Sequence, residues 1–239
     1  MRKTVTSLLL VFCTFYAHAQ VIVTDNYNDP FLSTIADGAN QFFNTNGPIF
    51  LTVKKCGSQN AWWDRSQQII VCQEILASAQ ENAAAFLQKG LVSQEAAVKM
   101  AAGQIFQVVL HELAHALIQR HQLPYTGRQE DVADQFAALI LLSMNDRNLY
   151  AGAINLASQF ERKQGLKIFF NSALSDEHAL GAQRKFQLIC WAYGRDPQST
   201  HQAALQSGMP QARLNRCHEE YADMKRNTER IFSVALKKQ

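Results

Sequence analysis

HELAHALIQRHQLPYTGRQEDVADQFAALILL, residues 111–142, is the stretch on which the reading of the whole chain turns. It continues a run that opens at Ser93, a good helix N-cap with Gln94 and Glu95 in the first turn. The spacing predicts one long helix from Ser93 to about His121. Between Gln104 and Ile118 it is apolar almost all round, so it belongs at the centre of the fold. Inside it, His111 and His115 stand four residues apart and therefore share one helix face, where two ring nitrogens can converge on one metal ion. Glu112 lies beside that point, placed to take a proton from a bound water. Imidazoles and a carboxylate in so apolar a helix are costly unless they are paired or bind a metal.

A catalytic zinc takes three protein ligands and keeps one position for water. His121 stands where a third histidine would follow in H-E-x-x-H-x-x-G-x-x-H. That pattern needs a glycine to turn the chain, and this sequence has the β-branched Ile118 there. If the helix continues, His121 lies far round its axis from His115. The better candidate comes after the Pro124–Gly127 loop. There Thr126 and Gln129 suggest a capping box opening a helix through about Met144. On that helix Glu130 and Asp134 share a face, with Val132, Ala133, Phe136, Ala137 and Ala138 as apolar neighbours. Glu130 completes the expected shell, with Asp131 as the fallback. Asp134 can accept the second ring N–H of a ligand histidine, fixing its tautomer.

Working outward, the 239 residues are 47% hydrophobic and 18% charged, which excludes a disordered chain or a fibre. A net charge of +3 from scattered residues lacks the basic stripe that nucleic-acid binding requires. Eleven glycines and five prolines favour helices over a turn-rich sandwich. Arg2 and Lys3, an apolar run from Leu8 to Phe15 and Ala17-His18-Ala19 are the three parts of a secretory signal peptide cleaved after Ala19. The run is too short to span a membrane, and no later segment reads as a transmembrane anchor. Residues 20–239 are then expected to form a single domain, periplasmic or secreted. Its four cysteines, Cys56, Cys72, Cys190 and Cys217, suggest two disulfides with three possible connectivities. Local pairing, Cys56–Cys72 and Cys190–Cys217, closes the shorter loops and is the expectation.

The remaining pattern is α+β and mostly helical. Val21–Thr24, Ile49–Lys54 and Gln68–Cys72 read as strands, the last two as a hairpin after a turn at Asp64-Arg65-Ser66. Helices are expected at 30–43, 73–89, 149–163, 177–193 and 213–236. Trp62-Trp63 either lines a ligand groove or covers the hairpin's apolar face, the commoner role. His201 and His218 lack partners at ligand spacing.

His111, Glu112 and His115, then Glu130 and Asp134, resemble the gluzincin branch of zinc metallopeptidases, whose signature is HExxH followed by a helix carrying ExxxD. More narrowly, the chain resembles a family of exported bacterial metallopeptidase-like proteins. That likeness rests on residues 111–142, on HALGAQRKFQLICWAYGRDP at 178–197 and on the Cys56–Cys72 segment. It implies a zincin-like fold with a small N-terminal sheet beside the active-site helix. It also implies a peptide or protein substrate paired along a sheet edge, for which Gln68 to Val71 is the candidate. Only 14 residues separate His115 from Glu130, which implies a compact, open-sided cleft. In such a site zinc activates water, Glu112 serves as general base, and a donor is needed for the oxyanion. His178 is the candidate stabiliser, with Arg184 and Tyr193 also considered. For Arg184 the alternative role is to bind a carboxylate, and for Tyr193 it is packing. The reading from another class is a catalytically silent, zinc-stabilised binding or assembly protein of the cell envelope. Glu112 separates the two, because a scaffold site needs no base.

Overall fold

The computed structural model describes residues 20–24, 29–165 and 174–237; the expected leader, residues 1–19, lies outside them. Near the N-terminus, β-branched and aromatic runs form a four-stranded sheet of order β1-β2-β4-β3. β1 (Val21–Val23), β2 (Ile49–Lys54) and β4 (Gln68–Cys72) are parallel, and β3 (Ala61–Trp63) is antiparallel to β4. The hairpin expected between Ile49–Lys54 and Gln68–Cys72 is therefore corrected: those two strands are parallel neighbours. The connection between them is long enough to carry β3 to the outer side, and β3 takes the hairpin position. Its turn is held by Asp64, whose Oδ1 accepts from the backbone N–H groups of Ser66, Gln67 and Gln68. Ile49, Leu51, Ile69 and Val71 are fully buried on one face and Thr52 and Ile70 are buried on the other, the pattern of interior parallel strands covered on both faces.

Between β1 and β2 runs α1 (Pro30–Phe42), with Asp29 as N-cap and Pro30 in the first turn. Asn40 of α1 bonds both the N–H and the C=O of Val21, which caps the outer edge of β1. α2 (Gln73–Gln88) follows the interior strand β4 directly. The central helix α3 (Gln94–His121) starts where its N-cap predicts, with Ser93 Oγ accepting from the Ala96 N–H. It is buried on nearly all sides from Met100 to Ile118.

Around α3 pack α2, α4 (Gln129–Ser143) and α5 (Arg147–Gln164). Two glycines let α3 and α5 approach closely. A Cβ on Gly103 would lie 1.8 Å from the Leu149 carbonyl oxygen, and one on Gly152 would lie 2.2 Å from that of Met100. Beyond α5 come α6 (Gly181–Arg195), α7 (Pro197–Gln206) and α8 (Gln211–Phe232). The stretch left without an element between the helices expected at 177–193 and 213–236 in fact contains α7, which opens at Pro197. Its signals were present: Asp196 caps the Ser199 N–H, and Pro197 occupies the first turn. The expected capping box at Thr126 is absent. Arg128 is the N-cap residue of α4 without a side-chain cap bond, and Gln129 is engaged elsewhere.

Both expected disulfides are present. Cys56–Cys72 ties the loop after β2 to the start of α2, and Cys190–Cys217 ties α6 to α8. No helix among the described residues is long and apolar enough to cross a membrane.

Candidate metal centre

The two histidines of α3 face α4 because the chain reverses within a few residues. Gln122 ends α3 in the left-handed conformation at φ 51°, and α4 then packs back along α3. His111 Nε2 lies 2.9 Å from Glu130 Oε2, and His115 Nε2 lies 3.3 Å from Glu130 Oε1. The two Nε2 atoms are 3.1 Å apart.

The other ring nitrogens fix the tautomers. His111 Nδ1 meets Asp134 Oδ1 at 2.9 Å, and His115 Nδ1 meets Gln129 Oε1 at 2.9 Å. Both partners accept, so both Nδ1 atoms donate. In neutral rings the two Nε2 lone pairs then point at one another and at a carboxylate. Only a cation between them, a proton or a metal ion, makes that arrangement favourable. Ligand atoms of His111, His115 and Glu130 all lie within 4.8 Å of one another. A tetrahedral shell with bonds of about 2.0–2.1 Å has edges of about 3.3 Å, so the donor set fits zinc.

Electrostatics reflect the same crowding. Burial opposes a charged His111, but Asp134 and Glu130 outweigh it and push its pKa up to about 10. Burial raises Glu130, yet hydrogen bonds from His111, His115 and His178 hold it well below the usual carboxylate range. Asp134 is also depressed: desolvation is overcome by Arg184, which donates to it from Nε and Nη2 at 2.7 Å each, and by His111. Arg184 is thus the carboxylate partner that its sequence context allowed. Glu112 is the contrast, with burial as the largest influence raising its pKa. Its Oε2 accepts from the Trp63 backbone N–H at 2.8 Å.

That contact places β3 against the site and corrects the sheet edge. Gln68–Val71 lies inside the sheet, between β2 and β3, whereas β3 is terminal and faces α3. Asn60 and Asp64 spend their backbone groups on β4, and Trp63, one of the three residues between them, turns its N–H to Glu112. The two tryptophans differ in exposure. Trp63 is buried, with Nε1 donating to Gln119, and Trp62 is exposed along a cleft of about 1310 Å³ that contains the metal-ligand candidates.

His178 reaches the same cleft from the segment before α6. Its Nε2 is 2.8 Å from Glu130 Oε2, and its Nδ1 is 3.1 Å from Asp176, a residue the sequence reading did not single out. Asp176 stands two residues before His178, the one signal that could have found it. Tyr193 lies elsewhere, its ring 5.8 Å from that of His201. His121 also lies outside the cluster, with Nε2 2.6 Å from the Asn44 carbonyl oxygen. Asp131 is not in the ligand group. His218 is on the Gly194 carbonyl, at 3.0 Å.

A helix-centred pair of histidines and a carboxylate on the next helix form a group that could hold a metal ion, with the buried Glu112 beside it. The chain belongs to the DUF4344 family, described as "Putative metallopeptidase", whose model matches residues 17–232. That description covers metallopeptidases as a class and names neither a metal nor a residue. No curated protein and no solved structure matches the chain.

Proposed function

We propose that the protein is an exported zinc metallopeptidase in which His111, His115 and Glu130 hold the ion. The observation that carries this reading is the convergence of the two imidazole Nε2 atoms, 3.1 Å apart, with both Nδ1 atoms engaged by acceptors. Bound zinc would supply Lewis acidity, lowering the pKa of water and polarising the scissile carbonyl.

The chain's own residues do the rest. Glu112, kept basic enough by burial, takes the proton of the attacking water and later hands it to the leaving amine. Asp134 holds the His111 ring in one tautomer, and Arg184 holds Asp134. His178, steadied by Asp176, is the proposed donor to the developing oxyanion. Terminal strand β3 offers its outer edge to an extended peptide. We assign residues 1–19 to a cleaved leader and 20–239 to one zincin-like domain in the periplasm or outside the cell. The disulfides and the lack of a spanning helix among the described residues are compatible with this. The test is elemental analysis of wild type beside Glu130→Ala. About one zinc per wild-type chain and clear loss in the variant are expected; a folded wild type that takes up no zinc overturns the reading.

A further inference from the structure

Past His115, towards the C-terminal end of α3, the lining of the cleft turns basic. Arg65 stands there in the turn between β3 and β4, and Arg128 just before α4, with Gln119, Gln122 and Tyr125 also in the lining. The two arginines belong to facing walls. Gln119 Nε2 donates to the Arg65 carbonyl at 3.1 Å, and Gln129, the neighbour of Arg128, accepts from His115 at 2.9 Å. The backbones that carry the arginines are therefore anchored about one helical turn, roughly 5.4 Å, apart along α3. The acids that line the cleft, Glu112, Glu130, Asp176 and Glu177, lie at the metal group or in the segment before α6. Asp64 and Asp131, the acids nearest the two arginines in sequence, do not line it, and Asp64 Oδ1 is taken up by its own turn. Both arginines are exposed, and neither forms an ion pair among the described residues. Arg65 also holds a left-handed backbone, φ 62°, where glycine or asparagine is the ordinary choice. Strained positions of this kind cluster at active sites and ligand clamps.

We infer that Arg65 and Arg128 form a carboxylate-binding subsite next to the metal group, so that the bond cut lies beside an acidic residue or beside the substrate's own C-terminus. This rests on the metallopeptidase reading. A guanidinium presents its N–H donors in a planar fork that matches the two oxygens of a carboxylate, and two such groups on facing walls hold the anion from both sides. The cleft is open there, so the carboxylate meets them without full burial and the attraction is screened by salt. A glutamine side chain offers one acceptor oxygen and no charge. A lysine is repelled by both arginines. At the other end of the cleft the one cation, Lys163, donates to Gln59, and Ile75, Leu156 and Phe160 make the lining more apolar. The acidic requirement therefore belongs to one side of the cut only. Positive potential inside a cleft also speeds the capture of acidic peptides.

The experiment uses zinc-loaded protein and fluorescein-labelled peptide mixtures in which one position at a time is fixed as glutamate, glutamine or lysine. Cleavage is read by mass spectrometry, and binding by anisotropy with the zinc-loaded Glu112→Gln protein. Glutamate at a position on one side of the cut should give kcat/KM about tenfold above glutamine and further above lysine, with Kd in the same order. The preference should shrink at about 1 M salt, where the Debye length is about 3 Å. Arg65→Asn, which suits the left-handed backbone, and Arg128→Gln should each cut the glutamate-to-glutamine ratio several-fold and leave zinc content and thermal midpoint unchanged. Arg230→Gln removes the same charge from an exposed position outside the cleft and should leave the ratio as it was. Amidating the peptide C-terminus separates the two sources. A side-chain preference survives it, whereas arginine-dependent binding lost on amidation identifies the terminal carboxylate. Cleavage indifferent to carboxylates of either kind overturns the inference and leaves the peptidase reading standing. A preference that survives both arginine variants, or falls equally in Arg230→Gln, removes the subsite. Zinc uptake with no cleavage and no discrimination in binding overturns the inference together with the peptidase reading.

Discussion

The Glu112 carboxylate accepts the backbone N–H of Trp63 at 2.8 Å, so the proposed base is held by the same strand that offers its edge to the cleft. A glutamine amide oxygen can accept that bond equally well. Glu112→Gln should therefore keep zinc and fold but lower kcat by about 10²–10⁴, the usual contribution of a general base. Peptide hydrolysis measured beside zinc content checks this, and unchanged turnover would take Glu112 out of the mechanism.

Asp134 sits between His111 and Arg184, and its side chain is mostly buried. Replacing it with alanine frees the His111 ring and strands a buried guanidinium. Zinc affinity should fall about 10–100-fold, and the fold should lose about 3–5 kcal/mol. Chelator competition reads the first effect and urea denaturation the second. His111→Ala should abolish stoichiometric zinc, which elemental analysis shows directly.

With His111 as a zinc ligand, as proposed, zinc and protons would compete for its ring. Its pKa stands at about 10 because Asp134 and Glu130 outweigh the burial that opposes its charge. A folded pKa above the unfolded value of about 6.5 stabilises the metal-free fold fully below pH 6.5, and that contribution is lost as pH rises towards 10. Zinc needs the deprotonated ring, so its affinity should move the opposite way and increase with pH. At pH 7, binding should release about one proton from this site, measured by titration calorimetry in buffers of different ionisation enthalpy.

Gly103 has no space for a side chain, since an added Cβ would lie 1.8 Å from the Leu149 carbonyl oxygen. Gly103→Ala should push α5 away from α3 and cost about 1–3 kcal/mol or more, despite alanine's better helix propensity. Thermal unfolding is the readout, and an unchanged midpoint would count against the close helix contact.

Cys190–Cys217 links residues 27 apart, and both cysteines are fully buried. Replacing the pair with alanine should cost about 3 kcal/mol through the greater freedom of the unfolded chain. Denaturant midpoints of oxidised protein and of the double variant test this.

The local elements of the site are legible from sequence because they follow short-range rules. Two histidines at i and i+4 must share a helix face, as must Glu130 and Asp134, and Ser93 announces where the long helix begins. Local cysteine pairing also agrees with the fold. What the spacing could not supply is which partners meet across space. Strand order is one such case: β2 and β4 look like a hairpin by proximity in sequence, but β3 crosses outside them and becomes the edge beside Glu112. Asp176 at His178 and Arg184 on Asp134 are others. Periodicity determined the faces of the helices. Only the packing of α3 against α4, α5, α6 and the sheet, where buried polar groups must find or lack a partner, decided what those faces touch.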